Sequence, residues 1–589
     1  MENGPDINPS QPTDVVETRS WRSLDCLVLA ILAIVSIYNF VRRGPTAFEW
    51  PGTDMACFYE RLADPTFLPN DYYTNSIVES NPRHVFGYFV VAIARTFGTD
   101  WYSVYFALRV VQTLTMPMLW YLAMLGLVKR FLSDEHRQLV ARVALAIAVV
   151  LVMRRDVSAW FSIAWWPPYF QYVGAHPLAI FLGLIGIVVR TRIAGPARYF
   201  SLLIWFCASL IHPAIGLFMV AFYLLSEVGH LRWREILSTA VVGGLLPAVI
   251  LTLWFRPQDP LSAAEFVNLY VFSSHPFHYQ VSQFATLTKY SWVVSFALVL
   301  GLMIAAGLIG VRRGDRALAR LAALFALSYS GCVLLQFFGT DVWPSRSIAA
   351  LGPSRFSFLG YYMVAMLATL VLCGTRQLRS AAFERAWSRL APRLRLFQPA
   401  GLVAVTLVAA IAMFALLKDD LQHDVRTKYA GLYDWMDRNT SPEDIFLPTF
   451  NHALHKQLPV IGRRALFASQ TFPFCEQAIP EHIRRLTLAY GTPQVVAQQR
   501  GRDQIAQRTN YFRSLAPGDI LSMAAEERLD YIIVESDHRQ RFAGYPASYA
   551  DDSVAVYSVG AIRATAEKRA RPSSTTNVTA RDAQRSTLQ

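Results

Sequence analysis

Residues 291–338 read SWVVSFALVLGLMIAAGLIGVRRGDRALARLAALFALSYSGCVLLQFF. Two apolar runs, near 291–311 and 319–338, are joined by a turn carrying Arg312, Arg313, Arg316 and Arg320. A helix needs about 20 mostly apolar residues to cross a bilayer, and arginine and lysine collect in cytoplasmic loops. The stretch is therefore read as a helical hairpin through a membrane with its turn inside. Outward from it the pattern recurs, with apolar spans near 24–41, 85–98, 104–128, 139–153, 158–175, 176–190, 199–228, 236–255, 356–374 and 399–417. A second cluster, Arg376, Arg379, Arg385 and Arg389, follows the span at 356–374. The chain is expected to be an α-helical polytopic membrane protein of about 11–13 transmembrane helices.

Composition agrees. Of 589 residues, 53% are hydrophobic and only 16% charged, against roughly 25% charged in an average soluble protein. That excludes a disordered chain, and repeated spans exclude a string of soluble domains. The net charge of +13 is carried mostly by arginine, since six of the 55 basic residues are lysine. Because the arginines cluster beside apolar spans, the charge reports topology and not nucleic-acid binding. Cys26, Cys207, Cys332 and Cys373 lie in apolar runs and Cys57 and Cys475 in polar ones, with no CxxC or Cys/His cluster. This spacing excludes a structural zinc site and a disulfide scaffold. A polar tail precedes the run Leu24–Val41 and no small-residue cleavage site follows it, so the run is read as an uncleaved first transmembrane helix.

Four segments follow: a disordered cytoplasmic tail at 1–20, a membrane domain at 21–417 with an outer loop at 44–84, an α/β domain at 418–560, and a disordered tail at 561–589. With Arg190, Arg192 and Arg198, then His230, Arg232 and Arg234, then both arginine clusters inside, alternation puts the block after Leu417 outside. Loops 256–290 and 339–355 share that side. The run 199–228 is too long for one helix and carries His212-Pro213 at its middle, which predicts two short helices. Lys129, Arg130, Arg137 and Arg142 also belong inside, yet simple alternation from a cytoplasmic N-terminus gives the opposite parity. One segment among 85–98, 104–128 and 158–175 is therefore re-entrant, interfacial or double.

In the C-terminal block, Val425, Leu432, Trp435 and Met436 share a helical face. Strands are expected at Asp444–Pro448, Asp530–Glu535 and Val554–Val559, with a helix over Pro517–Arg528. In the loop after the first span, Met55, Phe58, Tyr59 and Leu62 recur at helical spacing with Glu60 and Arg61 on the other side. This predicts a short amphipathic helix on the outer membrane surface, with Asp54 at its N-terminus and Asp64-Pro65 at its end. The aromatic-rich stretch Phe67–Tyr73 extends it along the interface.

A cytoplasmic N-terminus, one helix, an outer loop with an early Asp, many spans and a C-terminal outer α/β domain resembles the GT-C superfamily of polyprenyl-phosphate-dependent glycosyltransferases. Trp435-Met-Asp-Arg-Asn-Thr-Ser-Pro-Glu-Asp-Ile-Phe446 and Leu529-Asp-Tyr-Ile-Ile-Val534 are similar to parts of the outer domain in bacterial members. Ala175-His176-Pro177-Leu-Ala and Leu210-Ile-His212-Pro213-Ala-Ile-Gly resemble a bacterial branch of it. The resemblance implies that the loop acid is a general base or orients the acceptor, and that cationic residues hold the lipid phosphate.

By position, Asp54 matches that acid. A carboxylate there would take the proton of an attacking hydroxyl as the bond forms, while its bland alternative is a helix cap. No DxD or ExD pair accompanies it, so no cofactor is expected and a divalent metal lacks its usual motif. Arginine suits a phosphate leaving group because its guanidinium makes paired bonds to phosphate oxygens. Arg346 and Arg355, flanking a Gly/Pro-containing outer loop, are the leading candidates, with Arg83 and His84 next; snorkelling to the headgroups is the alternative for each. His176 and His212, each before a proline in an apolar run, either face a cavity or satisfy a broken helix. His275 and His278 lack a third metal ligand. Trp160, Trp165, Trp166, Tyr169, Phe170 and Tyr172 either stack on sugars or form an interfacial belt.

The expected function is transfer of a sugar from a polyprenyl-phosphate donor to a lipid or glycan acceptor, outside a bacterial inner membrane, with no nucleic-acid partner. The alternative is a non-catalytic, transport or polymerase component handling lipid-linked glycans. A transporter calls for paired intramembrane charges, and Arg95, Arg109 and Asp156 have no opposite partner in their own spans.

Overall fold

The computed structural model describes residues 19–43, 55–77, 84–132, 134–153, 174–255, 260–274, 279–283, 292–375, 429–473, 475–491 and 501–570. Among them, six helices are long and apolar enough to cross a membrane. They sit in a larger helical set: α1 (Arg19–Arg43), α2 (Ala56–Ala63), α3 (Tyr72–Ile77), α4 (His84–Phe97), α5 (Trp101–Lys129), α6 (Glu135–Val152), α7 (Ala175–Arg192), α8 (Phe200–Ile211), α9 (Pro213–Ser226), α10 (Trp233–Trp254), α11 (Trp292–Arg313) and α12 (Arg316–Val342). The sixth long span, Arg346–Cys373, is broken into α13 (Arg346–Leu351), a 3-10 stretch Pro353–Leu359 and α14 (Gly360–Cys373). Gly352 makes the break at φ 63°, a left-handed conformation that glycine adopts without a Cβ clash. The run 199–228 divides at His212 as the sequence predicts, because Pro213 can begin a helix but not continue one.

One end of the bundle gathers the basic residues. Arg130 pairs with Glu227 at 3.1 Å, Arg190 and Arg198 share Glu235 at 3.2 and 2.8 Å, and Arg313 Nη1 donates to Val371 O at 2.8 Å. One layer inward, Arg142 pairs with Asp25 at 3.0 Å, and Tyr121 donates to the same carboxylate oxygen at 2.8 Å. These pairs join residues of different helices, so a search within single spans, such as that made for Arg95, Arg109 and Asp156, does not reveal them. Arg95 donates to the backbone Leu62 O at 2.6 Å, a neutral acceptor. Asp156 lies outside the described residues.

The parity conflict of the first half turns on α4 and on residues 154–173, which lie outside the described residues. His84, at its start, stacks on Phe58 with centroids 4.0 Å apart, while Arg95, in its last turn, reaches Leu62. Trp101, opening α5, donates to Glu60 at 2.8 Å. All three partners belong to α2, which at 1.5 Å per residue is about 12 Å long. A helix crossing the bilayer could not keep both ends on so short an element. So α4 lies along the face that carries α2, and α5 leads from there to the basic face where Lys129 and Arg130 stand.

The C-terminal region contains α15 (Ala430–Asn439), β1 (Ile445–Pro448), α16 (His452–Val460), β2 (Ala465–Leu466), α17 (Ile479–Tyr490), α18 (Gly501–Ser514), α19 (Pro517–Glu526), β3 (Tyr531–Glu535), β4 (Tyr549–Ala550), β5 (Val554–Ser558) and α20 (Val559–Ala570). Its five-stranded sheet has the order β2-β1-β3-β5-β4, parallel through β2-β1-β3 and antiparallel beyond. Ile445, Leu447, Ile532 and Val534 face one apolar cluster and Phe446, Ile533, Val554 and Val556 another, so both faces of the sheet are covered. Helix α20 corrects the boundary read at 560: Val559 and Ile562, one turn apart, are buried, and the chain stays helical to Ala570.

Helix α2 also departs from expectation. It is not a surface helix on the bilayer, for Met55, Ala56, Cys57, Phe58 and Tyr59 are all buried in protein. Its apolar side meets α4 and α5, its polar side is spent on Trp101 and on the loop that follows, and α16 of the C-terminal domain packs against it. The amphipathic pattern was real; its partner is protein instead of lipid.

Candidate functional site

The segment 55–77 is a compact module stapled by its own side chains. Arg61 Nε donates to Phe67 O at 2.6 Å, and its Nη2 to Leu68 O at 2.7 Å and Asn75 Oδ1 at 3.0 Å. These bonds hold Leu68 at φ 48°, a left-handed conformation uncommon for a side-chain-bearing residue. Asp64 accepts the Thr66 N–H and hydroxyl at 2.9 and 2.6 Å. Asp71, fully buried, accepts the Thr74 N–H and hydroxyl, both at 2.6 Å, on one oxygen and the Leu466 N–H, at 2.8 Å, on the other. Burial pushes its carboxyl above the usual range, while those hydrogen bonds pull the other way. The Leu466 bond belongs to β2, so Asp71 ties the module to the C-terminal domain. Tyr72 adds a bond from its hydroxyl to Ala478 O at 2.5 Å and a ring under Arg485 at 4.7 Å.

Beside this module the structure brings Arg346 and Arg355 to one aromatic group. The Arg346 guanidinium lies 5.8 Å from the Phe266 centroid; Phe266 stacks on Tyr270 at 5.0 Å, and Tyr270 meets Tyr279 at 5.2 Å with their hydroxyls 2.8 Å apart. Arg355 lies over Tyr279 at 4.6 Å. The two arginines thus bracket Phe266–Tyr270–Tyr279, and Phe472 of the C-terminal domain covers Tyr270 at 5.5 Å. Arg346 also forms a short ion pair with Glu476 of that domain. His84 has a different setting: buried under the module, it donates Nε2–H to Ile77 O at 2.5 Å and stacks on Phe58. Asp54 and Arg83 lie outside the described residues, as do His275, His278 and the aromatic set Trp160–Tyr172. The N-cap of α2 is Met55, next after Asp54 in sequence.

His176 and His212, which the sequence offered singly, are one pair, with ring centroids 4.0 Å apart. His212 Nδ1 accepts the Ile215 N–H at 3.3 Å and so caps α9. In the C-terminal domain, Glu535, Asp537 and His538 bring donor atoms within 4.8 Å of one another. Arg513 Nη2 stands on both carboxylates, at 3.0 and 3.2 Å, which supplies the balancing charge without a cation.

Asp71 and Glu476 escaped the sequence reading. Asp71 had a signal, since Asp is a preferred residue immediately before a helix, and here it accepts the N–H of Thr74, the third residue of α3. Glu476 had none, because its partners, Arg346 and Leu261, are distant in sequence.

No known protein family matches the chain, and no curated protein does. Among solved structures, the apo form of the Archaeoglobus fulgidus oligosaccharyltransferase aligns at a TM-score of 0.34 with 12% identity, covering 87% of this chain and 69% of that one. The likeness is coarse and confined to architecture.

Proposed function

We propose that the chain is a glycosyltransferase-like membrane protein that transfers a sugar from a polyprenyl-phosphate donor to a lipid or glycan acceptor at the face bearing its C-terminal domain. One observation carries the reading: the module that begins directly after Asp54 is clamped by the C-terminal domain on the same face as Arg346 and Arg355. By the inside-positive rule the opposite, arginine-rich face is cytoplasmic, which puts this joint outside. In this reading Asp54 removes the acceptor's proton, the aromatic group flanks the isoprenoid phosphate, and the arginines balance the leaving phosphate's charge. Arg83 is a reserve cation for the same phosphate.

The test is sugar transfer from a polyprenyl-phosphate donor by the full-length protein in nanodiscs. Asp54→Asn is expected to lower the rate by about 10²–10⁴-fold, the contribution of general-base catalysis, with unchanged thermal unfolding. Arg355→Lys keeps the charge but loses the planar fork, so donor binding is expected to weaken. Full activity in Asp54→Asn would refute the assigned role. The buried Asp25–Arg142 pair favours a second reading, a transporter of lipid-linked glycans; flipping of a labelled lipid across proteoliposomes without transfer would favour it.

A further inference from the structure

Glu476 lies between β2 and α17 and reaches out of the C-terminal domain into the membrane domain. Its Oε2 takes a short charge-assisted bond from Arg346 Nη2, and its Oε1 accepts the backbone N–H of Leu261 at 2.8 Å. Its side chain is 8% exposed, whereas that of Arg346 is 30% exposed. Phe266, Tyr279, Ala349, Phe472 and Ile479 form the apolar surround. Arg346 and the Leu261 N–H therefore make a cradle for two oxygens of one anion, with the Phe266 ring beside the guanidinium. The present occupant is the protein's own carboxylate.

A phosphate monoester presents oxygens in a similar fork and carries up to twice the charge, which favours it on arginine. The occupant is also held at a cost: burial lifts the Glu476 carboxyl above its usual range, against the pull of Arg346 and the Leu261 N–H. Arg346, the more exposed partner, is the side from which another anion can enter.

We propose that Arg346 and the Leu261 N–H form a phosphate site in which Glu476 stands in for the ligand, so that a phosphate monoester binding there displaces Glu476 and releases the 475–479 turn from the membrane domain. The inference rests on the reading of Arg346 as a donor-phosphate residue. It adds that the polyprenyl monophosphate left behind by sugar transfer, a monoester where the donor is a diester, competes with an internal carboxylate, and that its formation loosens the joint between domain and bundle.

The experiment uses the full-length protein in phosphatidylcholine nanodiscs. A long-chain polyprenyl monophosphate in the bilayer is one probe, and inorganic phosphate in solution the other. Glu476→Gln retains an oxygen for the Leu261 N–H but removes the competing charge. It is expected to bind the lipid about tenfold more tightly, the equivalent of about 1.4 kcal/mol. Arg346→Ala should weaken binding of the same probe. In the unaltered protein, ligand should speed hydrogen exchange at the Leu261 amide and across residues 475–479, a readout that does not depend on how well Glu476→Gln folds. Tightening with inorganic phosphate alone would assign the site to a soluble phosphate; tightening with the lipid alone would assign it to a headgroup. If Arg346→Ala weakens binding but Glu476→Gln does not tighten it and exchange is unmoved, Glu476 is only a latch and the inference fails while the phosphate reading stands. If Arg346→Ala binds as the unaltered protein does, the phosphate reading of Arg346 fails and takes the inference with it.

Discussion

Asp71 accepts three hydrogen bonds on one buried carboxylate, two from Thr74 and one across the joint from Leu466. Removing it leaves the Leu466 N–H, at the edge of the sheet, without its acceptor, and frees the start of α3. Hydrogen bonds to charged groups are each worth about 1.5–3 kcal/mol net. Asp71→Ala is therefore expected to destabilise the joint by at least that much, seen as a lower unfolding midpoint and faster proteolysis between residues 64 and 75. Asp71→Asn, which keeps one acceptor oxygen, should fall between. An unchanged midpoint in Asp71→Ala would mean that the apolar contacts of α2 alone hold the module. Arg61 is its counterpart within the module, because its three bonds are what keep Leu68 in a costly backbone conformation.

Helix α4 is apolar but short, and is expected to lie along the outer face without spanning. Its 14 residues reach about 21 Å, short of the ~30 Å hydrocarbon layer. Its buried residues His84, Gly87, Val91 and Ala94 repeat at three- and four-residue spacing, while Tyr88, Phe89 and Phe97 are exposed. Both ends should share one compartment. In a background lacking native cysteines, Ser80→Cys and Thr99→Cys are expected to react with a membrane-impermeant maleimide from the same side as Gln540→Cys in the C-terminal domain. Labelling of Thr99→Cys from the opposite side would make α4 a true span and reinstate the parity conflict. Gly87 explains the tight seat of α4 on α2, since a Cβ there would meet the Phe58 ring at 2.4 Å.

Across the described part of the membrane bundle, ion pairs lie at two levels, apart from those of the C-terminal domain and its joint. On the basic face Arg130 and Arg198 keep part of their side chains exposed while Glu227 and Arg190 are buried, and the Asp25–Arg142–Tyr121 group is buried throughout between α1, α5 and α6. Removing one member of a buried pair leaves an uncompensated charge and costs about 3–5 kcal/mol, whereas replacing both with apolar residues is often neutral. Arg142→Leu is thus expected to lower the unfolding midpoint in detergent sharply, and Asp25→Leu with Arg142→Leu to recover most of the loss. A recovered fold that retains sugar transfer would mark the pair as structural. Recovered stability with loss of lipid movement would mark it as part of a transport path.

The sequence by itself determined the class of the protein. Span length and arginine position are local properties, so the polytopic bundle, the break at His212-Pro213 and three of the five strands, β1, β3 and β5, were legible from windows of 5 to 25 residues, whereas the two-residue strands β2 and β4 were too short to leave a pattern. The apolar periodicity of α2 was equally legible, but periodicity says only that one face is covered and not by what. The tertiary structure alone decided that protein covers it, that α4 runs along α2 with contacts at both its ends, and that charges of separate helices neutralise one another. It also brings Arg346, Phe266 and Glu476 together from three distant segments. Contacts of that kind depend on how elements pack, and no local pattern encodes them.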